Sequence, residues 1–238
     1  MTSPRAPAAF IKRVFDHNRA WAAQKHKADP AFFKRLADGQ KPTMMWLGCS
    51  DSRVPAAQLL GLGPGEVFVH RNVANVLHHS DLNCLSVLQY AVEALKVKHI
   101  VVCGHYGCGG IQAAMQPVQH GLVDNWIRSV RDQYADNLEV IQKETDPKRQ
   151  WDLMCELNTK RQVLNVAHTT IVQNAWQNNE ELSVHGWIYD PADGILDDLG
   201  VTVSGMDCVG HAFRTDTPVH LQKRDRTGEM QDFNTSTA

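Results

Sequence analysis

Several things are scarce or missing in this 238-residue sequence. No apolar run approaches the ~18 residues that would span a bilayer. The N-terminal residues are not followed by an apolar stretch of the signal-peptide kind, because Arg13, Arg19 and Lys25 interrupt it. The expectation is a soluble, cytoplasmic protein that does not use a membrane. There is no basic surplus either: 24 Lys and Arg stand against 26 Asp and Glu, a net charge of −2. Nucleic acid as a partner therefore has no electrostatic support. Six cysteines are present but no Cys-x-x-Cys, which argues against a dithiol redox pair. A chain of this length does not need disulfides, so reduced thiols are expected. No internal repeat is found. What the chain has is ordinary core material, 43% apolar against 21% charged.

Short apolar runs at Met44–Gly48, Val67–His70 and Ile100–Gly104 suit strands buried in a parallel sheet. Leu182–Tyr189 reads as a fourth strand, and Ile195–Val201 as a fifth after the Asp193-Gly194 turn. Between them lie helical patterns. Residues 8–28 place Phe10, Ile11, Val14, Phe15 and Trp21 at helical spacing. Asp29-Pro30 opens a short helix that stops at Gly39. Leu82–Leu95 forms another helix, Gln119–Gln150 is helical and polar with a break at Asp146-Pro147, and 151–178 reads as one long helix presenting Leu153, Leu157, Leu164, Ile171 and Ala175. The fold class is α/β: a mostly parallel four-stranded sheet with an added edge strand, flanked by helices. An N-terminal helical arm (1–40), a catalytic domain (41–201) and a C-terminal segment (202–238) follow. The chain turns polar after Arg214, and Thr227–Ala238 is expected to be disordered.

Two strands end in unusual clusters, Gly48-Cys49-Ser50-Asp51-Ser52-Arg53 and Gly104-His105-Tyr106-Gly107-Cys108-Gly109-Gly110. Ligands of open α/β sheets bind outside the carboxyl ends of strands. Cys49, His105 and Cys108 offer two thiolates and an imidazole, a donor set that suits zinc. With three ligands, a fourth position is left for water, substrate or Asp51, as catalytic zinc sites require. Asp51 and Arg53 are spaced for a carboxylate–guanidinium pair, which would hold Asp51 off the metal; Asp51 as fourth ligand would instead close the site. Cys84, Cys103, Cys155 and Cys208 read as small core hydrophobes, and His78, His79 and His99 as ordinary core or surface histidines.

These residues, together with Gly65-Glu66 and Val69-His70-Arg71-Asn72-Val73-Ala74-Asn75, resemble the β-class carbonic anhydrases in order and separation, from about Lys41 to Val201. The resemblance implies reversible hydration of carbon dioxide to bicarbonate and a proton by zinc-bound hydroxide. It implies that Asp51, paired with Arg53, accepts a hydrogen bond from the bound water. It also implies that Gln40, nine residues before Cys49, helps bind substrate, often across a dimer interface, and that Phe68, Val73 and Tyr90 form an apolar substrate wall, although core packing explains those three equally well. One subgroup of the family is inhibited by bicarbonate at a Trp, Arg and Tyr site; Trp46, Arg71 and Tyr189 stand at those positions, and the resemblance implies that bicarbonate binds them and favours Asp51 on zinc, with core aromatics and a structural arginine as the alternative reading. Family members associate as dimers or larger, and segment 8–28 fits a swapped arm, with a tetramer as the guess. Two alternatives stand beside this: a carbon disulfide or carbonyl sulfide hydrolase on the same scaffold, and a non-catalytic zinc module, which would want a fourth fixed Cys or His.

Overall fold

The computed structural model describes residues 5–215 and a short ladder of Lys223–Arg224 with Met230–Gln231. The expected disorder of Thr227–Ala238 falls on residues that, Met230–Gln231 apart, lie outside the described ones. The chain opens with a 24-residue helix, α1 (Arg5–Ala28), and a short α2 (Phe32–Ala37). Then come β1 (Met44–Cys49), α3 (Ala56–Leu59), β2 (Val67–Asn72), α4 (Leu82–Gln89) and β3 (His99–His105). After β3 the chain makes α5 (Gly109–Met115), α6 (Val123–Trp126), α7 (Arg128–Asp136), α8 (Leu138–Ile141), α9 (Pro147–Ala167) and α10 (Thr170–Gln177). β4 (Ser183–Tyr189) and β5 (Leu196–Val203) complete a five-stranded sheet of order β2-β1-β3-β4-β5. The first four strands are parallel and β5 is antiparallel to β4, as the sequence led one to expect.

Most strand residues are apolar on both sides because both faces carry packing. One face, through Met45, Leu47, Ile100, Val102 and Val184, meets α4, α9 and α10. The other carries a smaller cluster around Trp46, Val101, Cys103 and Tyr189. The helix α9 lies close on β3 and β4. A side chain at Gly104 would meet Thr159 Oγ1 at 2.1 Å, so only glycine lets the helix come that near.

Several sequence expectations need correction. The single long helix at 151–178 is two: α9 starts at Pro147, capped by Asp146, and ends at Ala167, and Thr169 caps α10. Its inward face is Met154, Cys155, Asn158, Thr159, Gln162, Val163 and Val166, not the leucine stripe; Leu153 and Leu157 are half-buried and Leu164 is exposed. Polar residues can point inward because each finds a partner: Gln162 accepts from Leu77 N–H at 3.0 Å and Asn158 donates to Ala74 O at 3.0 Å. The Leu82–Leu95 helix widens after Gln89 into a π turn, with Leu95 N–H bonded to Tyr90 O. Cys208 is exposed, not a core hydrophobe. The segment past residue 202 returns to the body, where Val203 and Val209 are buried and Gln173 bonds the backbone of Phe213 and Thr215.

Candidate metal centre at the carboxyl end of the sheet

In the order β2-β1-β3, connections leave β1 and β3 toward opposite directions. A crevice therefore opens between their carboxyl ends, where open α/β sheets bind ligands. Cys49 ends β1 and His105 ends β3, and Cys108 precedes the first turn of α5. Gly107, at φ +67°, supplies the left-handed bend that folds Cys108 back toward His105. The three ligand atoms lie within 4.8 Å of one another, the sulfurs 3.9 Å apart, and all three residues are buried.

The chemistry of this pocket asks for a cation. His105 Nδ1 lies 2.9 Å from Tyr106 O and donates to it, leaving Nε2 as the acceptor nitrogen. Nε2 is buried and has no hydrogen-bond partner among the described residues, a costly arrangement unless something else binds it. The Cys108 thiol, and His105 beside it, hold Cys49 well below the ordinary thiol range. Cys49 and burial push Cys108 the opposite way. Two sulfurs this close share a single negative charge until a cation sits beside them.

Asp51 stands next to this group, with Oδ2 3.9 Å from His105 Nε2. It is gripped by Arg53: Nε to Oδ1 at 3.0 Å, Nη2 to Oδ2 at 2.8 Å, and the Arg53 backbone N–H to Oδ1 at 2.9 Å. The guanidinium holds the Asp51 carboxyl well below the usual carboxylate range. Arg53 also donates to Gly107 O at 3.1 Å, tying the two ligand loops together. Its outer side faces a cavity of about 410 Å³ shared with Tyr106, Lys148, Asp152 and Asp190.

The remaining predicted residues divide. Arg71 Nε donates to Cys49 O at 2.8 Å and its Nη2 to Asp51 O, so it shapes the first ligand loop. Trp46 and Tyr189 are buried together on the same sheet face as Arg71, and Trp46 Nε1 is a buried donor without a partner among the described residues. Val73 also reaches the ligand loops. A side chain at Gly110 would meet its Cγ1 at 2.9 Å. Phe68 and Tyr90 do not join them. Their rings stand 5.8 Å apart, beside Met45 in register, about 13 Å along the strand from Cys49. Gln40 precedes β1, about 16 Å or more from its end, in an open groove of about 380 Å³ with Arg35, Leu36 and Glu66. Core packing does not account for Tyr90, which is 51% exposed, or for Val73.

The sequence reading missed the residues that hold the loops from behind. Trp151 Nε1 donates to Cys108 O at 3.0 Å. Trp126 Nε1 donates to Val73 O at 2.8 Å and Asn158 to Ala74 O, fixing a turn in which Ala74 and Asn75 have φ of 64° and 48°. Ala in that region is strained, and such strain persists only where its surroundings impose it. The Asn-Val-Ala-Asn motif carried a hint of this, but helix α9 carried none.

Residues 44–196 match the family model for carbonic anhydrase. The chain is also 46% identical over 194 residues to a carbonic anhydrase of Emericella nidulans, covering 82% of this chain and 85% of that one. The chain belongs to the β-class carbonic anhydrases. Membership makes it an enzyme of carbon dioxide hydration. A solved structure of one of two tetrameric β-carbonic anhydrases from Sordaria macrospora superposes with a TM-score of 0.80 at 36% identity, covering 82% of this chain and all of that one. A Coccomyxa β-carbonic anhydrase in complex with acetazolamide gives 0.79 at 40% identity, covering 87% and 90%. No helix among the described residues is long and apolar enough to cross a membrane.

Proposed function

We propose that this carbonic anhydrase works with zinc held by Cys49, His105 and Cys108, and that Asp51 and Arg53 orient the reacting water. The observation that carries the reading is the unpartnered, buried His105 Nε2 facing two buried thiols. Two sulfurs and one nitrogen suit zinc, and three protein ligands leave a position for chemistry. Zinc there supplies a Lewis acid that makes water acidic enough to attack carbon dioxide near neutral pH, an effect for which carbonic anhydrases are the standard example. The protein's own part is orientation. The Tyr106 carbonyl fixes the His105 tautomer. Asp51, kept ionised by Arg53, is an acceptor only, so it receives a hydrogen bond from water and turns a lone pair toward the substrate carbon. The overall change consumes water and carbon dioxide and releases bicarbonate and one proton. The test is zinc content with stopped-flow hydration: about one catalytic zinc per chain and hydration at alkaline pH are expected. Metal-free protein that still hydrates carbon dioxide sinks the reading. The same assay run with carbon disulfide separates the alternative hydrolase.

A second copy completes the pocket. Phe10, Ile11, Val14 and Phe15 form an exposed apolar stripe on α1, which meets Phe32 and Phe33 of α2 through Trp21 and Lys25. An apolar face of this kind requires cover. Gln40, Phe68 and Tyr90 lie too far from Cys49 to act in their own chain, so their contribution passes to a partner's site. The tetrameric Sordaria relative supports association.

Bicarbonate is the proposed inhibitor at Trp46, Arg71 and Tyr189. The unsatisfied Trp46 Nε1 is a donor waiting for an acceptor, and Arg71 already bonds the carbonyls of Cys49 and Asp51. An anion that draws Arg71 away loosens the turn that keeps Asp51 on Arg53, and Asp51 is then free to close the metal position. Inhibition requires bicarbonate to prefer that closed state. Trp46→Phe is expected to abolish bicarbonate inhibition while keeping most activity at alkaline pH. Unchanged inhibition in that variant refutes the site.

A further inference from the structure

His105 is aimed by the residue that follows it. Its Nδ1 donates to Tyr106 O at 2.9 Å, so the direction of Nε2 depends on where the Tyr106–Gly107 peptide plane points. On its amino side Tyr106 is fixed by the backbone, because its N–H is tied to Tyr189 O at 2.9 Å. On its carboxyl side stands Gly107 at φ +67°, and a residue without a side chain sets few steric limits on the plane between them. The carbonyl that orients a metal-facing histidine therefore needs a further constraint.

The Tyr106 side chain supplies it. The phenol donates to Glu156 Oε1 at 3.0 Å, and Arg149 Nη1 donates to the same oxygen at 2.7 Å. Glu156 and Arg149 both belong to α9, about two turns apart. The Glu156 side chain is only 14% exposed and Tyr106 is half-buried, so water competes little for this bond. A hydrogen bond to a carboxylate is shorter and stronger than one between neutral groups. The ring of Tyr106 packs with Trp151 on the cluster that contains Cys49 and Cys108. Trp151, in the first turn of α9, holds Cys108 O. One helix thus reaches both ends of the loop from His105 to Cys108, through Glu156 at one and Trp151 at the other.

We propose, on the reading that zinc sits at Cys49, His105 and Cys108, that Glu156, held by Arg149, is a positioning residue for the metal centre. Through the Tyr106 phenol it fixes the carbonyl that orients His105. Glu156 touches neither metal nor substrate. It narrows the angles that the imidazole samples, as partners behind a metal ligand do. Loss of the bond leaves all three ligands present and lowers the time His105 spends aimed at the metal.

The test compares Tyr106→Phe, Glu156→Leu and Glu156→Gln in the full-length protein. Three quantities are read: zinc affinity by chelator competition, the d–d bands of the cobalt-substituted protein, and solvent exchange of the His105 Nδ1 proton by NMR. Phenylalanine and leucine keep apolar bulk and lose the bond, whereas glutamine keeps an acceptor oxygen. Tyr106→Phe and Glu156→Leu are each expected to bind zinc about tenfold more weakly, to shift the cobalt bands and to speed exchange of the Nδ1 proton. Glu156→Gln should stay near the wild type. The double variant of Tyr106→Phe with Glu156→Leu should be no weaker than either single one, because both remove the same bond. A role confined to holding the helix lowers the melting temperature and leaves all three readouts unmoved, and that result overturns the proposal. So does a Glu156→Gln protein as weak as Glu156→Leu. The Nδ1 proton is read with or without metal, which separates the two readings. A wild type that holds no zinc, but whose Nδ1 proton still responds to Tyr106→Phe, sinks the zinc site and keeps the orienting bond. A zinc-loaded wild type whose affinity ignores the variants sinks the positioning role alone.

Discussion

The two ends of the parallel sheet are built differently. At the carboxyl end, residues from two short loops meet inside one chain, and the carbonyls around them are held by side-chain donors: Arg71 on Cys49 and Asp51, Arg53 on Gly107, His105 on Tyr106, Trp151 on Cys108. Toward the amino end, Gln40 and Tyr90 stand exposed, and so does the apolar stripe of the N-terminal helix α1. One end is finished by a single chain. The other has aromatic and apolar surface that the chain itself does not use. A site assembled from both therefore needs two copies, and damage at the two ends should fail in different ways.

The largest effect is expected at the finished end. Cys49→Ser replaces a soft ligand with a hydroxyl that does not ionise near neutral pH, so catalytic zinc and hydration should both fall to background while the oligomer survives. Metal analysis beside light scattering checks this; retained activity would break the comparison at its root. Next comes the unfinished end. Phe15→Asp puts a charge in the α1 stripe and should reduce the particle mass to that of one chain. Activity should fall by about tenfold or more with the Cys49 zinc still bound, because the metal centre is complete without a partner. A monomer of full activity would show that Gln40, Phe68 and Tyr90 do nothing for a second copy.

Asp51→Asn sharpens the picture inside the finished end. The amide cannot act as an acceptor-only partner, and hydration should drop by about 10²-fold with zinc retained. There is a pH corollary. Asp51 is depressed in the folded state, so its stabilising contribution is complete above the ordinary carboxylate pKa and is lost only as pH falls through the lower folded value. It stays ionised throughout the neutral range. A loss of activity there therefore does not come from protonation of Asp51; if Asp51 is its origin, it acts by moving off Arg53. A neutral-range loss that persists in Asp51→Asn rules Asp51 out as its origin.

How legible each end was in the sequence follows the same division. Cys49, Asp51, Arg53, His105 and Cys108 were readable because strand ends bring short motifs together without help from distant chain. The strands were readable from apolar runs buried on both faces. Phe68, Tyr90 and Gln40 could be named only through resemblance, since no ligand motif or strand end sets them apart. Helix α9 was misjudged because its inward face carries Asn158 and Gln162, which bond backbone at Ala74 and Leu77, and Thr159, which donates to Cys155 O one turn earlier; no apolar period marks such a face. The leucine stripe that did show a period only borders the core: Leu153 and Leu157 are half-buried against it and Leu164 is exposed. Trp151, at the start of the same helix, was invisible for this reason.

Trp151 supplies the smallest and most local test. Its Nε1 is the side-chain donor to Cys108 O, and its ring packs against the cluster that contains Cys49, Cys108 and Ile111. Trp151→Phe keeps most of the apolar contact and removes only the hydrogen bond, which is worth about 1 kcal/mol of stability. If the carbonyl cage positions the ligand loops, the variant should also bind zinc about tenfold more weakly, with the size expected for a group that orients a metal ligand. The rate per bound zinc should stay near that of the wild type. If melting temperature falls while zinc affinity does not move, the bond holds the helix on the sheet and nothing more. The finished end would then owe its geometry to the backbone turns at Gly107 and Ala74 and not to the donors behind them.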